Sequence, residues 1–276
     1  MISGSKFELR PVTIAMVQTL ARRDLLECGV TDYFGAVIVD EAHHSPATTW
    51  AEVLGQMPAR YRYGLTATAW RKDGLGFLIS RMIGPKTATI SRAELEVAGR
   101  IVWPEIVTVS TDFYYDLGDT SRWTEMISEL IQDSERNGLI YTEVRKRITE
   151  GSKALILTDR IDHANLLAED LADFEPVVLT GELAKAGRTA AMQNVRDGAR
   201  LTVATTHLLG EGIDVPAWNL LFLASPISGG PRTLQAVGRV CRPSPGKARA
   251  TVVDFVDSEV PALVAAAQKR GRLYAA

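Results

Sequence analysis

Asp40 and Glu41 stand side by side directly after Ala36-Val37-Ile38-Val39, and this is the first place in the sequence where chemistry could happen. Four apolar residues, three of them valine or isoleucine, read as a buried parallel strand that the two acids close. Ligands of open α/β sheets sit beyond the carboxyl ends of the strands. An Asp there can hold Mg²⁺, largely through water, while the adjacent Glu orients and deprotonates an attacking water. Paired carboxylates plus metal are what phosphoryl transfer to water requires. Taken by itself, the pair reads as a strand followed by an acidic turn; residues further along change that.

The second informative stretch runs from Gly229-Gly230-Pro231 through Arg232-Thr233-Leu234-Gln235-Ala236-Val237-Gly238-Arg239-Val240-Cys241-Arg242 to Pro243. Pro231 suits the first turn of a helix and Pro243 stops it. Leu234, Val237 and Cys241 then form one stripe, with Gln235, Arg239 and Arg242 on another roughly 140° away. Two guanidiniums one turn apart on a packed helix make a rigid fork aimed at an anion. A surface helix with ordinary arginines also fits this stretch. Between the two lies Thr205-Thr206-His207-Leu208-Leu209-Gly210-Glu211-Gly212-Ile213-Asp214, where glycines let backbone amides approach a phosphate or sugar and Asp214 could accept a ribose hydroxyl. A tight strand-to-helix turn is the plainer reading of a lone G-x-G.

These groups need a scaffold. Residues 1–11 give no element. Val12-Thr13-Ile14-Ala15 reads as a strand, followed by a helical stretch through Val17, Leu20 and Leu25, the acidic strand over 36–40, a helix through Trp50, Val53 and Leu54, a strand over Tyr63 to Thr68, and a charged turn at Arg71-Lys72-Asp73-Gly74. Residues 84–105 are punctuated by Gly84-Pro85, Gly99 and Pro104 around a short helix at Ala93 to Val97, and a domain boundary is placed there, at 100. Ile106 to Val109 opens a second series. Helical stripes at Trp123 to Ile131 and Leu139 to Ile148 are core, and apolar strands follow at Ala154–Leu157, Val177–Leu179, Leu201–Ala204, Leu220–Leu223 and Thr251–Phe255. Alternation with helices such as the one through Ala164, Leu167 and Leu171 makes a parallel sheet. The basic tail Gln268-Lys269-Arg270-Gly271-Arg272 reads as a solvated helix end.

With 276 residues, 46% of them hydrophobic and 23% charged, the chain can bury a core and fill two domains. A net charge of −2 excludes a global basic field, so nucleic acid would be held by a local patch. Two cysteines, Cys28 and Cys241, give neither metal spacing nor a disulfide framework, and no apolar run approaches the roughly 18 residues of a membrane span. A cytoplasmic chain with no membrane partner is expected.

Four segments in order now carry a resemblance. Asp40-Glu41-Ala42-His43, Thr66-Ala67-Thr68, Thr206 through Gly212-Ile213-Asp214, and Gln235-Ala236-Val237-Gly238-Arg239-Val240-Cys241-Arg242 resemble motifs II, III, V and VI of superfamily-two DEAD/DEAH-box helicases, over residues 12–256. Arg71-Lys72-Asp73 after the T-A-T is most similar to the branch holding XPB-type helicases and type III restriction-enzyme helicase subunits. Those act mainly on duplex DNA, so the resemblance implies DNA over RNA. It further implies an α/β fold of two tandem RecA-like parallel-sheet domains (the P-loop NTPase fold), the first incomplete. Residues 1–100 would be a partial ATP-binding domain with motifs II and III, and 101–276 a helicase C-terminal domain with motifs IV to VI. ATP and Mg²⁺ are the implied cofactors.

On the family pattern, Asp40 and Glu41 hold Mg²⁺, with Glu41 activating water. His43, Thr66 and Thr68 couple the nucleotide site to the nucleic-acid track. Gly212 and Asp214 meet the nucleotide from the second lobe, Gln235 joins the catalytic set, and Arg239 and Arg242 are arginine fingers supplied in cis. Such a finger is worth about 10³ to 10⁵ in rate. Thr206 touches a nucleic-acid phosphate, and Thr180-Gly181 followed by Arg188 is similar to a second phosphate-contacting element, for which a helix cap is the alternative. His163 and His207 read as structural.

The sequence also departs from the family. Nothing in residues 1–39 matches the Walker A loop G-x-x-x-x-G-K-[ST], whose amides and lysine cradle the β- and γ-phosphates. Met16 stands where the family often has Thr, and Ala69 where it often has Pro. The expectation is the C-terminal portion of a split or truncated motor, completed by a separate N-terminal fragment carrying Walker A, with weak ATP hydrolysis alone and an unpaired apolar flank on the first sheet. A non-hydrolysing DNA-binding module is the alternative. A metal hydrolase using Asp40, Glu41, His43 and His44 is a third class, for which the H-E-x-x-H spacing is lacking.

Overall fold

The structure, a computed structural model, describes residues 1–45, 47–66, 76–116, 118, 122–207, 213–227 and 231–275. The chain divides into two compact units, Met1–Thr89 and Ile90–Ala276. The division falls inside the punctuated stretch 84–105.

In the first unit, β1 (Ile2–Ser3) and β2 (Lys6–Phe7) form an antiparallel hairpin turned at Gly4, whose φ of +58° suits glycine. No element was expected there. The strand expected over Val12–Ala15 is reduced to one isolated parallel bridge between Ile2 and Ala15. Val12 and Ile14 lie 87% and 74% exposed, so their β-branched side chains bury too little to hold a strand. The helix expected through Leu25 also shortens, to α1 (Val17–Leu20). The Asp24 carboxylate accepts from the amides of Leu26 and Glu27, a local alternative to helix, and Leu25 reaches the core from that turn.

The acidic strand is β3 (Ala36–Val39), paired in parallel with β4 (Tyr61–Gly64). β4 begins earlier than expected and ends at Gly64; Ala67, Thr68 and the charged turn at 71–74 lie outside the described residues. Val37 and Val39 pack with Trp50 and Leu54 of α2 (Thr48–Gly55) and with Met82 of α3 (Gly76–Met82), a helix the sequence reading missed. Gly64 is required at this contact, because a Cβ there would come within 2.8 Å of the Ala42 Cβ. Arg62, projecting from β4, donates to Leu54 O, Met57 O and Met82 O, placing positive charge where two helices end. β3 was expected to be buried on both faces, but its other face is open: Ile38 is 67% exposed, and Tyr61 and Tyr63 opposite are half exposed.

The second unit opens with α4 (Arg92–Val97), begun by a reciprocal Ser91–Glu94 capping box. The guanidinium of Arg92 lies over the Trp103 ring and donates to Tyr274 O. There follow β5 (Glu105–Thr111), α5 (Trp123–Leu130), α6 (Ser134–Arg147), β6 (Ala154–Thr158), α7 (Ile161–Asp170), β7 (Val177–Leu179), α8 (Lys185–Asp197), β8 (Leu201–Thr205), β9 (Leu220–Leu223), α9 (Pro231–Val240), β10 (Thr251–Asp257) and α10 (Pro261–Ala275). The strands form one parallel sheet in the order β5-β10-β9-β6-β8-β7. Period-two alternation builds a core on each face. Leu155, Leu157, Leu221 and Leu223 pack with α8 and α9, while Ile156, Val203, Phe222 and Val253 pack with α6 and α7.

Two buried ion pairs tie helices to β10. Arg136 of α6 donates through Nε to Asp257 Oδ1 at 2.6 Å and through Nη1 to Ala224 O at 2.8 Å. Arg270 of α10 grips Asp254 and donates to Ile227 O. The basic tail is therefore not wholly solvated as expected: Arg270 is 1% exposed, because Asp254 points out of the sheet into the helix that covers it.

Candidate active site

In the first unit, four of the residues singled out above meet at the end of β3. The Asp40 carboxylate accepts from the Glu41 amide at 2.9 Å. Glu41 sits in the left-handed region, φ +49°, which turns the chain sharply into a 3₁₀ turn over Ala42–His44. That turn brings His43 back beside the strand end. His43 is 8% exposed, and its Nδ1 lies 3.2 Å from Glu41 Oε2 and 3.0 Å from Thr66 Oγ1. Backbone bonds hold the frame: Leu65 N donates to Val39 O and Ala42 N to Leu65 O. Thr68 lies outside the described residues.

Two hard carboxylates at a strand end suit Mg²⁺. Among the described residues no group of three or more His, Cys, Asp or Glu converges on a metal ion. An ion here would therefore be completed by phosphate oxygens and water, the usual coordination of Mg²⁺ beside a nucleotide.

In the second unit, α9 delivers its stripes as the period demands. Val237 and Cys241 are buried, Gln235 is exposed and Arg239 half-buried one turn further on. Arg242, just past the helix, makes an ion pair with Asp214. Burial lowers the Arg239 pKa and the neighbouring Arg242 charge lowers it further, with Asp214 acting in the other direction. Arg239, Arg242 and Asp214 thus share one electrostatic neighbourhood. Gly212 lies outside the described residues.

The remaining candidates stand at the carboxyl ends of adjacent strands. Thr206 follows β8 and donates to Asp159, which follows β6; Thr180 follows β7, buried, with Gly181 exposed beyond it. Arg188 lies in the first turn of α8, its amide bonded to Ala184 O.

Beneath Asp159 runs a buried polar chain. Asn137 Nδ2 donates to Ile131 O, so its Oδ1 faces His163 Nε2 at 3.0 Å, which makes Nε2 the protonated ring nitrogen. Nδ1 then accepts from Thr158 Oγ1 at 2.9 Å, Thr158 accepts from Ser225, and Ser225 Oγ accepts from the Asp159 amide at 3.1 Å. Burial, then the charge of Arg136, pushes His163 down to about 3. It is a neutral structural histidine. α7 and α9, which follow the adjacent strands β6 and β9, pack on opposite faces of the sheet, so this chain lies at a topological switch point.

Residues 126–244 match the family description "Helicase conserved C-terminal domain", and residues 2–71 match "Type III restriction enzyme, res subunit". The DNA 3'-5' helicase XPB of Kineococcus radiotolerans is 30% identical over 87% of this chain and 44% of its own. The chain belongs to the superfamily-two helicases, in the XPB and type III restriction branch. A protein named as an ATP-dependent RNA helicase, L396 of Acanthamoeba polyphaga mimivirus, is 26% identical over 90% of this chain and 48% of its own. Among solved structures, a fragment described as an HsdR subunit of a type I restriction enzyme from Vibrio vulnificus superposes with a TM-score of 0.67 at 22% identity, covering 91% of this chain and 48% of that one. The chain thus spans about half the length of the curated relatives it matches. Its six-stranded parallel sheet has the RecA-like fold of solved helicase structures.

Three residues outside the four quoted segments brace the candidate residues, each within its own unit. Asp159 follows Leu155-Ile156-Leu157-Thr158 as Asp40 follows its own apolar run, so an acid after a buried strand was the available signal. Arg62 had no local signal, since its carbonyl partners lie on other elements. Lys247 had one, the Ser244-Pro245-Gly246 that precedes it.

Proposed function

We propose that these residues are the acid-bearing and arginine-bearing part of an ATP-driven motor that acts on duplex DNA. The observation that carries the reading is His43, which bridges the acid of one motif to the threonine of the next within hydrogen-bond reach. A side chain placed so can pass the position of Glu41 on to Thr66, at the strand end that follows β4.

In this reading, Asp40 orients a hydrated Mg²⁺, which when bound draws charge off the phosphates. Glu41 takes the proton of the attacking water. Arg239 and Arg242 stabilise charge on the transferring phosphoryl, with Gln235 beside them, while Asp214 and Gly212 meet the ribose. Thr206, Thr180, Gly181 and Arg188 hold nucleic-acid phosphates, and His43, Thr66 and Thr68 couple the two sites. The match to a relative named as a DNA helicase at 30% identity supports DNA; a relative named as an RNA helicase makes this a point to test. Two unpaired thiols fit a cytoplasmic setting.

The β- and γ-phosphates need a Walker A loop, which we infer comes from a separate N-terminal fragment. The open face of β3 and β4, with Ile38, Tyr61 and Tyr63 exposed, supports a partner there. The test is ATP turnover by the chain alone and mixed with a Walker A-bearing polypeptide, with and without duplex DNA. DNA-stimulated turnover by the mixture, lost in Glu41→Gln, is expected; brisk turnover by the chain alone sinks the complementation. The second reading, a non-hydrolysing DNA-binding module, predicts salt-dependent DNA binding indifferent to ATP analogues.

A further inference from the structure

Lys247 donates to three backbone carbonyls, and the motifs leave it without a role. Its ammonium donates to Pro216 O at 2.9 Å, Trp218 O at 2.5 Å and Arg242 O at 2.8 Å. A lysine has three N–H protons, so all three are committed to carbonyls. Two of these acceptors belong to the loop just after Asp214, and the third belongs to Arg242, the residue that Asp214 pairs with.

The placement of Lys247 follows from local sequence. Ser244-Pro245-Gly246-Lys247 closes a turn in which the Lys247 amide donates to Ser244 O at 3.0 Å and Gly246 takes φ +77°. Pro second and Gly third, with a positive φ at the glycine, are the requirements of a type II turn. The turn folds the chain back under the end of α9, where the final carbonyls lack helical partners. Three carbonyls aimed at one point repel each other unless a cation sits between them, and burial lowers the Lys247 ammonium to about 8, with the Cys241 sulfur acting in the other direction.

We propose that Lys247 is the positioning residue of the second unit's nucleotide-facing edge, its ammonium fixing the backbone on both sides of the Asp214–Arg242 pair. With both backbones held, only side-chain freedom remains to be lost when the pair forms or when either partner turns to a ligand. The proposal rests on the reading that Asp214 and Arg242 face nucleotide, but the clamp itself can be measured without any nucleotide.

The experiment uses the intact chain labelled with ¹⁵N-arginine, the Arg242 Nη1–H signal being assigned by its loss in Arg242→Lys. In the native chain the Nη1 protons are expected to exchange more slowly with water than those of an unpaired arginine, because Nη1 makes the ion pair with Asp214. Asp214→Asn and Lys247→Met should each speed its exchange at least fivefold, while amides of Ala154–Thr158 stay within twofold of native. A Lys247→Met chain with native Arg242 exchange overturns the proposal, as does one whose amides accelerate uniformly, since that is loss of stability without positioning. Should Lys247→Met fail to fold, Lys247→Arg keeps the charge, but its broad planar guanidinium cannot sit as a point charge where three carbonyls converge. Accelerated Arg242 exchange is again expected, and native exchange again refutes. A chain that passes this test but binds no adenine nucleotide even when mixed with the Walker A-bearing polypeptide removes the reading of the site and leaves the clamp standing.

Discussion

Arg242 and Asp214 hold each other in an ion pair, although one is the proposed phosphate ligand and the other the proposed ribose ligand. Both are substantially exposed, so the pair contributes at most about 1 kcal/mol to stability. Arg242→Gln should accordingly leave urea unfolding nearly unchanged. In the reconstituted motor, Arg239→Gln or Arg242→Gln should lower ATP turnover by about 10³-fold or more, as for other arginine fingers. Turnover within tenfold of native would remove them from that role.

Glu41 and His43 should separate chemistry from coupling. Glu41→Gln is expected to lower hydrolysis by roughly 10² to 10⁴ with nucleotide affinity retained. His43→Ala leaves the acid in place and removes its link to Thr66. It should reduce the stimulation by DNA more than the basal rate, as read by steady-state ATPase assays with and without duplex.

His163 sets a pH dependence of stability. Its folded pKa, about 3, lies below the ordinary 6.5. The unfolded chain therefore binds more protons between those values, and stability rises with pH through that window. The contribution is complete above 6.5 and is lost as pH falls toward 3, by up to roughly 5 kcal/mol. Urea unfolding of the native chain and of His163→Gln from pH 7 to 4 should show a shallower slope in the variant; parallel slopes would contradict the assignment.

Arg136 is buried against Asp257, which also accepts from Thr111 Oγ1 at 2.7 Å. Arg136→Met strands that carboxylate in the core and should cost about 3 to 5 kcal/mol in urea unfolding. Arg136→Met combined with Asp257→Leu should recover much of the loss.

Ile38 and Tyr63 face the same way from paired strands and stay exposed. Ile38→Lys should alter the stability of the chain by less than about 0.5 kcal/mol, as surface changes do. If a Walker A-bearing fragment docks on this face, the same change should abolish reconstituted turnover. Undiminished complementation would move the docking site elsewhere.

The second unit was legible because its signals are local. Leu-Ile-Leu in β6, Val-Ala in β8 and the Val237–Cys241 stripe of α9 each state their own period, and the sheet follows from alternation. The first thirty-five residues were not legible, because two-residue strands and a one-turn helix have no period to read; tertiary contact to Ile2 and Leu25 decides them. At the site, the motif residues announced themselves by type and order, whereas Asp159, Arg62 and Lys247 act on partners about 5 to 47 positions away. Arg270 misled because charge beside charge in sequence suggests solvent, and only the fold shows Asp254 opposite.

The backbone at residue 41 favours a side chain that is not there. A φ of +49° is a conformation that glycine enters freely and a glutamate resists by about 1 kcal/mol or more. Glu41→Gly should therefore raise the melting temperature of this chain while leaving it chemically inert. Selection for a sturdier fold alone would erase this carboxylate.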